Sequence, residues 1–269
     1  MAKHNQVFLY GVIKKRPMIT IDTEAERRSA QCLVTVVRGK RKVEDVYDGT
    51  RRRERLLVMT DVPKIVDEMN TWQENDTVEI KGLFVGRPAP KGTHCPKCNQ
   101  ISSVPGGIMF VYPVYAKMQN HNESFEEAMK ALQEEQSEFS NLAYMVGTVC
   151  TEPKSVRTKQ GLFVTRYQVA IGRKLRIRTD PPEINTDFPM IKTYGEQAAN
   201  DKKRLKKGSV ILIDGFLSAH EAKGRNNFCE HCGEALEWND YVMDIVPYDI
   251  EYLQETIEQE EEGVEDGLD

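Results

Sequence analysis

The sequence predicts a mainly β protein made of two small barrels in tandem, each closed by five short strands. Three observations support this fold class. Apolar residues alternate over short segments, the order of those segments occurs twice along the chain, and a Cys-x-x-Cys pair lies at the same place in both copies. The length of 269 residues suits two domains of ordinary size.

The repeat extends over most of the chain. The segment from Asn5 to Pro17 aligns with the segment from Asn141 to Pro153 at an offset of 136, with Asn, Gly and Pro in matching places. Residues 32–38 align with 167–173 at 135, and residues 78–83 align with 211–216 at 133. The Cys-x-x-Cys pairs align at 134. Because the order is kept and the offset drifts by only three residues, we infer an internal duplication.

Each copy has the same order of elements. In the first copy, strands are expected at residues 7–13, 32–37, 56–59, 78–85 and 108–115, with a helix at 62–72. Gly11, inside the first strand, indicates a bend of the kind that closes a small barrel. The second copy gives strands at 142–150, 164–173, 189–194, 210–218 and 240–248, with a helix at 195–206. Five strands with a helix between the third and fourth is the order of an OB-fold barrel.

Charge divides the chain into four segments. Residues 1–119 form the first predicted domain and carry a net charge of +7, whereas the predicted linker 120–140 carries −5. The second domain is predicted at 141–253; residues 141–247 carry +3 and residues 248–269 carry −10. The linker has helical spacing, with an apolar stripe expected to dock on a barrel (Phe125, Met129, Leu132 and Phe139). The tail 254–269 is acidic and poor in apolar residues, so disorder is expected there.

Composition excludes several classes of protein. No apolar run is long enough to span a bilayer, and residues 1–6 show no apolar segment of signal-peptide type. We therefore expect a cytoplasmic location, at the nucleoid or a phage replication site. We expect no membrane partner. Six cysteines in a chain of this length do not indicate a disulfide scaffold. Cys32 and Cys150 lie in apolar, strand-like surroundings and are expected to be small buried hydrophobic residues.

The other four cysteines indicate a metal site. Cys95, Cys98, Cys229 and Cys232 form two pairs with the spacing of metal ligands, and Asn or Gly follows each pair where the turn needs a left-handed residue. Structural zinc takes four ligands, and each pair supplies two. The two pairs could complete one shared site, each pair could be completed by His94 or His231, or pairs from different subunits could meet. A redox role is disfavoured because neither pair opens a helix after a strand.

Cations cluster around the loop that joins the second and third strands of each copy. Single-strand binding needs such cations together with flat side chains on which bases stack. The candidate residues are Arg38, Lys40, Arg41, Lys42, Tyr47, Arg51, Arg52, Arg53 and Arg55 in the first copy, and Arg173, Lys174, Arg176 and Arg178 in the second.

The ordered set of motifs resembles the bacterial and phage single-stranded DNA-binding protein family. Phe188-Pro-Met-Ile-Lys-Thr-Tyr-Gly195, Leu205-Lys-Lys-Gly208 and Val210-Ile-Leu-Ile-Asp-Gly215 follow its pattern, whereas the first copy has Thr60-Asp-Val-Pro63 where Tyr-Gly is expected. The resemblance implies binding along the barrel face, with Phe188 at a stacking position where the first copy has Arg55. Two such domains in one chain look like a fused subunit pair, and a homodimer or higher oligomer is implied. A mobile acidic tail that recruits replication or recombination proteins is also implied, although Val264-Glu-Asp-Gly-Leu-Asp269 lacks the family's aromatic end.

The leading hypothesis is therefore a non-catalytic protein that coats single-stranded DNA during replication or recombination, stabilised by a structural zinc ion. A single-stranded RNA-binding protein uses the same chemistry, and no feature of the sequence recognises a 2′-hydroxyl. A zinc-stabilised protein-interaction scaffold is a third hypothesis. An enzyme is disfavoured because the sequence has no phosphate-binding Gly loop, no His-Glu-x-x-His and no carboxylate set spaced for two metals.

Overall fold

A computed structural model describes residues 4–24, 26–39, 41, 53–159, 161–177 and 185–254. Over these residues the chain forms fifteen strands and three α-helices. The first half contains β1 (His4–Ile13), β2 (Met18–Asp22), β3 (Arg27–Val37), β4 (Arg53–Thr60), α1 (Pro63–Asn70), β5 (Thr77–Pro88), β6 (Lys91–His94), β7 (Ile101–Val104) and β8 (Gly107–Asn120). The linker contains α2 (Phe125–Glu135) and a 3-10 helix (Ser137–Phe139). The second half contains β9 (Asn141–Val149), β10 (Lys154–Arg157), β11 (Phe163–Gly172), β12 (Thr186–Asp187), β13 (Met190–Tyr194), α3 (Gly195–Arg204), β14 (Val210–Phe228) and β15 (Ala235–Gln254).

Both halves close into a five-stranded barrel by the same pairings. In the first barrel, β1 pairs with β3 and β5, β5 pairs with β8, and β4 joins β3 to β8, the last contact being parallel with Val58 opposite Val111. In the second barrel, β9 pairs with β11 and β14, β14 pairs with β15, and β13 closes the ring with Ile191 opposite Ile245. This is the OB-fold closure that the order of elements predicted.

Gly11 and Gly147 show why a glycine lies inside the first strand of each barrel. A Cβ at Gly11 would lie 2.6 Å from the carbonyl oxygen of Thr35, and one at Gly147 would lie 2.3 Å from a methyl of Val169. At these points β1 passes close to β3, and β9 passes close to β11. A side chain on either glycine would prevent this close approach.

The two barrels join edge to edge. Strands β1 and β9 pair in antiparallel register from His4 opposite Val146 to Leu9 opposite Asn141, so that the barrels share one continuous 13-stranded sheet of the described residues. A corresponding asparagine anchors each edge: Asn5 makes two hydrogen bonds to the backbone of Phe84, and Asn141 makes two to Leu217. The register and these anchors relate the two barrels by an approximate two-fold axis.

The final hairpin of each barrel is longer than the sequence predicted. Strands β14 and β15 form an arm of 19 and 20 residues, whereas 210–218 and 240–248 were expected. In the first barrel, β5 and β8 also extend beyond their expected ends, and β6 and β7 form a small two-stranded sheet at the tip. We call these two hairpins the arms. Each arm carries one Cys-x-x-Cys pair at or near its end.

The linker helix docks on the first barrel, as its apolar stripe predicted. Met129 and Leu132 of α2 are buried against Val12 and Val37. Phe139 departs from the expectation, because its side chain is 65% exposed. Within the described parts of the chain, none of the helices has the length and apolar character needed to cross a membrane.

Candidate functional site

The four knuckle cysteines meet between the two arms. All four Sγ atoms lie within 4.8 Å of one another, with Cys95 3.5 Å from Cys232 and Cys98 3.6 Å from Cys229. A tetrahedral ion with metal–sulfur bonds of about 2.3 Å places its sulfur atoms about 3.8 Å apart. The cluster therefore has the donor set and the spacing of a four-thiolate metal site, and the contacts cross from one arm to the other.

Local sequence explains the shape of each knuckle. Asn99 and Gly233 adopt positive φ angles of 58° and 72°, and their amides donate to the carbonyls of Cys95 and Cys229. These are the positions at which the sequence predicted left-handed residues. The two turns thus bring each pair of thiols to one side of its arm, facing the other pair.

The surroundings of the cluster act differently on its thiols. The hydroxyl of Ser102 donates to Sγ of Cys229 at 3.3 Å. This hydrogen bond is the largest of the contacts that together lower the pKa of the Cys229 thiol to about 6, the backbone N–H groups of His231 and Cys232 being others. Cys95 and Cys229 are buried with Val104 and Leu236, which shields part of the site from water. Cys98 is half-buried and Cys232 is exposed, and desolvation together with the neighbouring thiols raises the pKa of both. Four sulfur donors are suited to a soft divalent cation.

Two of the predicted nucleic-acid ligands, Arg38 and Arg173, lie inside the protein. Both guanidinium groups are buried, with 5% and 3% of the residue exposed. Arg38 lies beside Glu54 and over the ring of Phe216, and Arg173 donates to Asp187 at 2.5 Å. These arginines neutralise buried carboxylates, which leaves little of either guanidinium group exposed for contact with nucleic acid.

Each buried carboxylate also bridges the barrels. Asp187 of the second barrel accepts a hydrogen bond from the backbone N–H of Gly86 in the first, at 2.9 Å. Glu54 of the first barrel accepts from the N–H of Ala219 in the second, at 3.1 Å. The two pairs thus occupy corresponding places about the approximate two-fold axis and stabilise the contact between barrels.

Two further predicted arginines make contacts within the chain, but part of each side chain remains exposed to solvent. Arg41 donates to Asp214 at 2.7 Å and lies 4.2 Å from the ring centroid of Tyr248. Arg53 pairs with Glu126 of the linker helix at 3.2 Å, both side chains being exposed to solvent. Arg55, Lys174 and Arg176 are exposed. Lys40, Lys42, Tyr47, Arg51, Arg52 and Arg178 lie outside the described residues.

A cationic groove lies on the outer face of the first barrel, along β3 and β4. It has a volume of about 390 Å³, and its lining includes the cations Lys14, Lys15, Arg16 and Arg55. Exposed Leu33 contributes to an apolar floor. Sequence reasoning did not select these three consecutive cations. These cations follow the first strand of the predicted OB-fold barrel, and the loop at that point borders this face. Their position could therefore have indicated that they line the groove.

The corresponding face of the second barrel has a different chemistry. Phe188 is 52% exposed, and its carbonyl accepts a hydrogen bond from the side chain of Gln168 at 3.1 Å. Arg166 lies opposite Lys192 on the neighbouring strand. Burial, and next the nearby Arg166, lowers the pKa of Lys192. This face therefore combines an exposed aromatic ring with two adjacent cations.

Comparison with known proteins agrees with this arrangement. Residues 140–232 match the model of the single-strand binding protein family. The matched segment spans β9 to β14 of the second barrel. The single-stranded DNA-binding protein of Thermotoga maritima is 29% identical over 79 residues, which span 29% of this chain and about half (56%) of that protein.

Solved structures extend the likeness in fold to the whole chain. The single-stranded DNA-binding protein of Thermus aquaticus superposes with a TM-score of 0.61 over 96% of this chain and 97% of that protein, at 14% identity. A deletion mutant of the same protein gives a TM-score of 0.59 over 97% of this chain, at 15% identity.

The segment that matches the single-strand binding protein family contains the features described for the second barrel. Phe188, Arg166 and Lys192 fall within it, and its last residue is Cys232. The first barrel has the same strand pairings but, on its open face, an arginine where the second barrel has Phe188.

Proposed function

We propose that this chain binds single-stranded DNA along the outer faces of both barrels and performs no catalysis on it. The observation that carries the proposal is that both barrels leave the same face open and place cations there beside exposed apolar side chains. Cations neutralise the phosphates, and apolar or aromatic surface accepts unstacked bases. The names of the relatives in Thermotoga and Thermus support DNA as the polymer. Coating of single strands during replication or recombination, in the cytoplasm, is the role this activity would serve.

The two barrels contribute differently under this proposal. The first supplies charge through Lys15, Arg16 and Arg55, whereas the second supplies a stacking surface through Phe188. Lys40, Arg41, Lys42, Tyr47 and the other cations of the first loop would extend the path of the strand. We also propose that the barrels arose by duplication, which their corresponding strand registers support.

Fluorescence anisotropy of a labelled dT oligomer tests the proposal. We expect tight binding at low salt that weakens as salt rises. Replacing Lys15 or Arg55 by alanine should reduce the slope of log affinity against log salt by about 0.7 for each phosphate that the variant no longer neutralises. Phe188→Ala should instead weaken binding about 5- to 150-fold with the slope unchanged, because it removes stacking. Lys130→Ala, an exposed charge on the linker helix, serves as the control.

No binding of the oligomer at low salt would overturn the proposal. Competition between matched DNA and RNA oligomers decides the polymer, since an equal or greater preference for RNA would favour the RNA-binding alternative. Oligomerisation without any affinity for either polymer would instead indicate a protein-interaction scaffold.

For the four-cysteine cluster we propose one structural zinc ion shared by the two arms. The support is the sulfur spacing, the left-handed turns and the proximity of all four thiols. Native mass spectrometry should show one zinc per chain. Cys98→Ser should lose it, whereas Cys150→Ser, which removes a thiol remote from the cluster, should keep it. Two zinc ions per chain, or retention of zinc in Cys98→Ser, would contradict a shared site.

Self-association into a homodimer or a higher oligomer stays a prediction, which analytical ultracentrifugation of the full chain would test. Recruitment of replication or recombination proteins by the acidic tail also stays a prediction. The tail residues after Gln254 lie outside those the structure describes. Removing residues 255–269 and measuring partner capture would test it.

A further inference from the structure

A groove lies between the two arms, next to the cysteine cluster and away from the open faces of the barrels. Its volume is about 480 Å³, within the usual range of about 300–1,000 Å³ for pockets that hold small ligands. The first arm contributes Lys91 and Thr93, and the second contributes Lys223, Trp238 and Asn239. We call it the inter-arm groove.

The indole of Trp238 packs closely against Gly224 on the neighbouring strand. A Cβ at Gly224, its partner residue on β14, would lie 2.1–2.5 Å from three atoms of the indole. Only a glycine at this position lets the ring approach the strand so closely. The indole also packs against the buried cluster around the knuckle cysteines. The ring is thus held in a fixed orientation and remains half-buried, with part of its surface lining the groove.

Polar groups surround this aromatic surface. Lys223 is exposed on the wall of the groove, and Lys91 pairs with Asp240 across the two arms. Glu237, the acidic residue of the lining, has Arg225 at 3.8 Å. Thr93 and Asn239 offer hydroxyl and amide groups. A flat ring with an adjacent ammonium group and neutral hydrogen-bonding side chains matches a base and its phosphate.

We propose that the inter-arm groove binds one nucleotide of the single strand, with its base stacked on Trp238 and its phosphate beside Lys223. This inference rests on the proposed function, since it adds a contact to the path of the strand beyond the barrels. It gives the arms, and the cysteine cluster that lies between them, a part in binding. Base stacking tolerates any sequence because every base has a π-face.

The tryptophan content of the chain makes a direct test available. The sequence has two tryptophans, and Trp72 is 1% exposed in the core. The variant Trp72→Phe therefore leaves Trp238 as the one fluorophore of its kind. Titration of this variant with unlabelled dT oligomer should quench its fluorescence in parallel with binding measured by anisotropy. Trp238→Phe should bind the oligomer with no comparable quenching.

Outcomes of this titration separate the two proposals. If the oligomer binds Trp72→Phe by anisotropy and the fluorescence of Trp238 does not change, the nucleotide site in the groove is wrong. If no oligomer binds to the parent protein or to either variant, the proposed function itself fails. Photocrosslinking with an iododeoxyuridine oligomer supplies a second readout, in which we expect an adduct on the peptide that contains Trp238.

Affinity measurements complete the test. Trp238→Ala should weaken oligomer binding about 5- to 150-fold, the range that corresponds to one stacked base. Gly224→Ala should weaken it similarly, because the added Cβ displaces the indole. Lys223→Ala should lower the salt slope, whereas the control Lys130→Ala should leave it less affected. Metal content is measured on each variant; a Trp238→Ala protein that retains its metal and binds with parental affinity would overturn the proposal.

Discussion

Replacing Asp187 by alanine should destabilise the protein far more than replacing an exposed aspartate. The side chains of Asp187 and Arg173 are both 0% exposed, and the carboxylate also accepts the N–H of Gly86 from the other barrel. Removing one member of a buried pair leaves an uncompensated charge, which costs about 3–5 kcal/mol. Leaving the N–H of Gly86 without its acceptor places the effect toward the upper end of that range. Taking both barrels as one cooperative unit, in which each kcal/mol shifts the melting temperature by about 2–4 °C, the melting temperature should fall by about 6–20 °C.

Urea and thermal unfolding followed by circular dichroism would measure this change. Asp67→Ala is the matched control, because Asp67 pairs with Arg28 at 2.7 Å but their side chains are 63% and 45% exposed. Loss of such an exposed pair should cost less than about 1 kcal/mol. The double variant Arg173→Met with Asp187→Leu should recover much of the stability, since two apolar side chains can replace a buried ion pair. Equal destabilisation by Asp187→Ala and Asp67→Ala would refute the reasoning.

Three other predictions follow from single contacts. Glu126→Ala should tighten binding of a dT oligomer about two- to fivefold at low salt, because it releases Arg53 from an exposed ion pair. At high salt the affinity should not change. Anisotropy titrations at both salt concentrations check this. Burial raises the pKa of Asp201 in the folded protein above its ordinary value of 3.8. The protonated carboxyl group therefore contributes fully to stability below pH 3.8, and this contribution declines as the pH rises through the pKa of the folded protein. The urea midpoint of Asp201→Asn, measured as a function of pH, should lack this decline. Cys98→Ser should melt at a lower temperature than Cys150→Ser once zinc is supplied, which differential scanning calorimetry would detect.

Contradictory outcomes for these predictions are equally specific. Glu126→Ala with parental affinity at every salt concentration would show that Arg53 does not contact the strand. An Asp201→Asn protein whose stability changes with pH as the parent's does would show that other groups cause the decline. Equal melting temperatures for Cys98→Ser and Cys150→Ser would show that the cluster does not stabilise the fold.

The barrels themselves could be predicted because alternation and repeat order are local signals. Strand alternation with period two marks which face of each strand is buried, and the two glycines mark where the first strand bends. The knuckle turns were also predictable, since Asn99 and Gly233 follow the second cysteine at the one position that needs a left-handed residue. The arms were underestimated because their outer halves pair polar residues, which carry no burial pattern for sequence reasoning to detect.

The assignment of Arg38 and Arg173 shows where residue type alone misleads. Arginines in a basic loop are ordinarily exposed, and burial of these two depends on acceptors 16 and 14 residues further along the chain. A signal for their role was nevertheless present in the repeat. Glu54 and Asp187 occupy corresponding positions in the two copies, just as Arg38 and Arg173 do. A charged pair that recurs at corresponding positions of two similar barrels indicates a structural contact more than a ligand contact.

The approximate two-fold axis explains why the two half-sites for a metal can meet. Edge pairing of β1 with β9 fixes one contact between the barrels, and the two buried carboxylates fix a second and a third. With the barrels held in this way, corresponding arms approach each other, so two pairs of cysteines from equivalent positions face one another. The cysteine cluster and the inter-arm groove both depend on this arrangement of barrels. A substitution that loosens the barrel contact, such as Asp187→Ala, should therefore lower metal affinity as well, although Asp187 lies outside the cluster; native mass spectrometry at limiting zinc would detect that coupling.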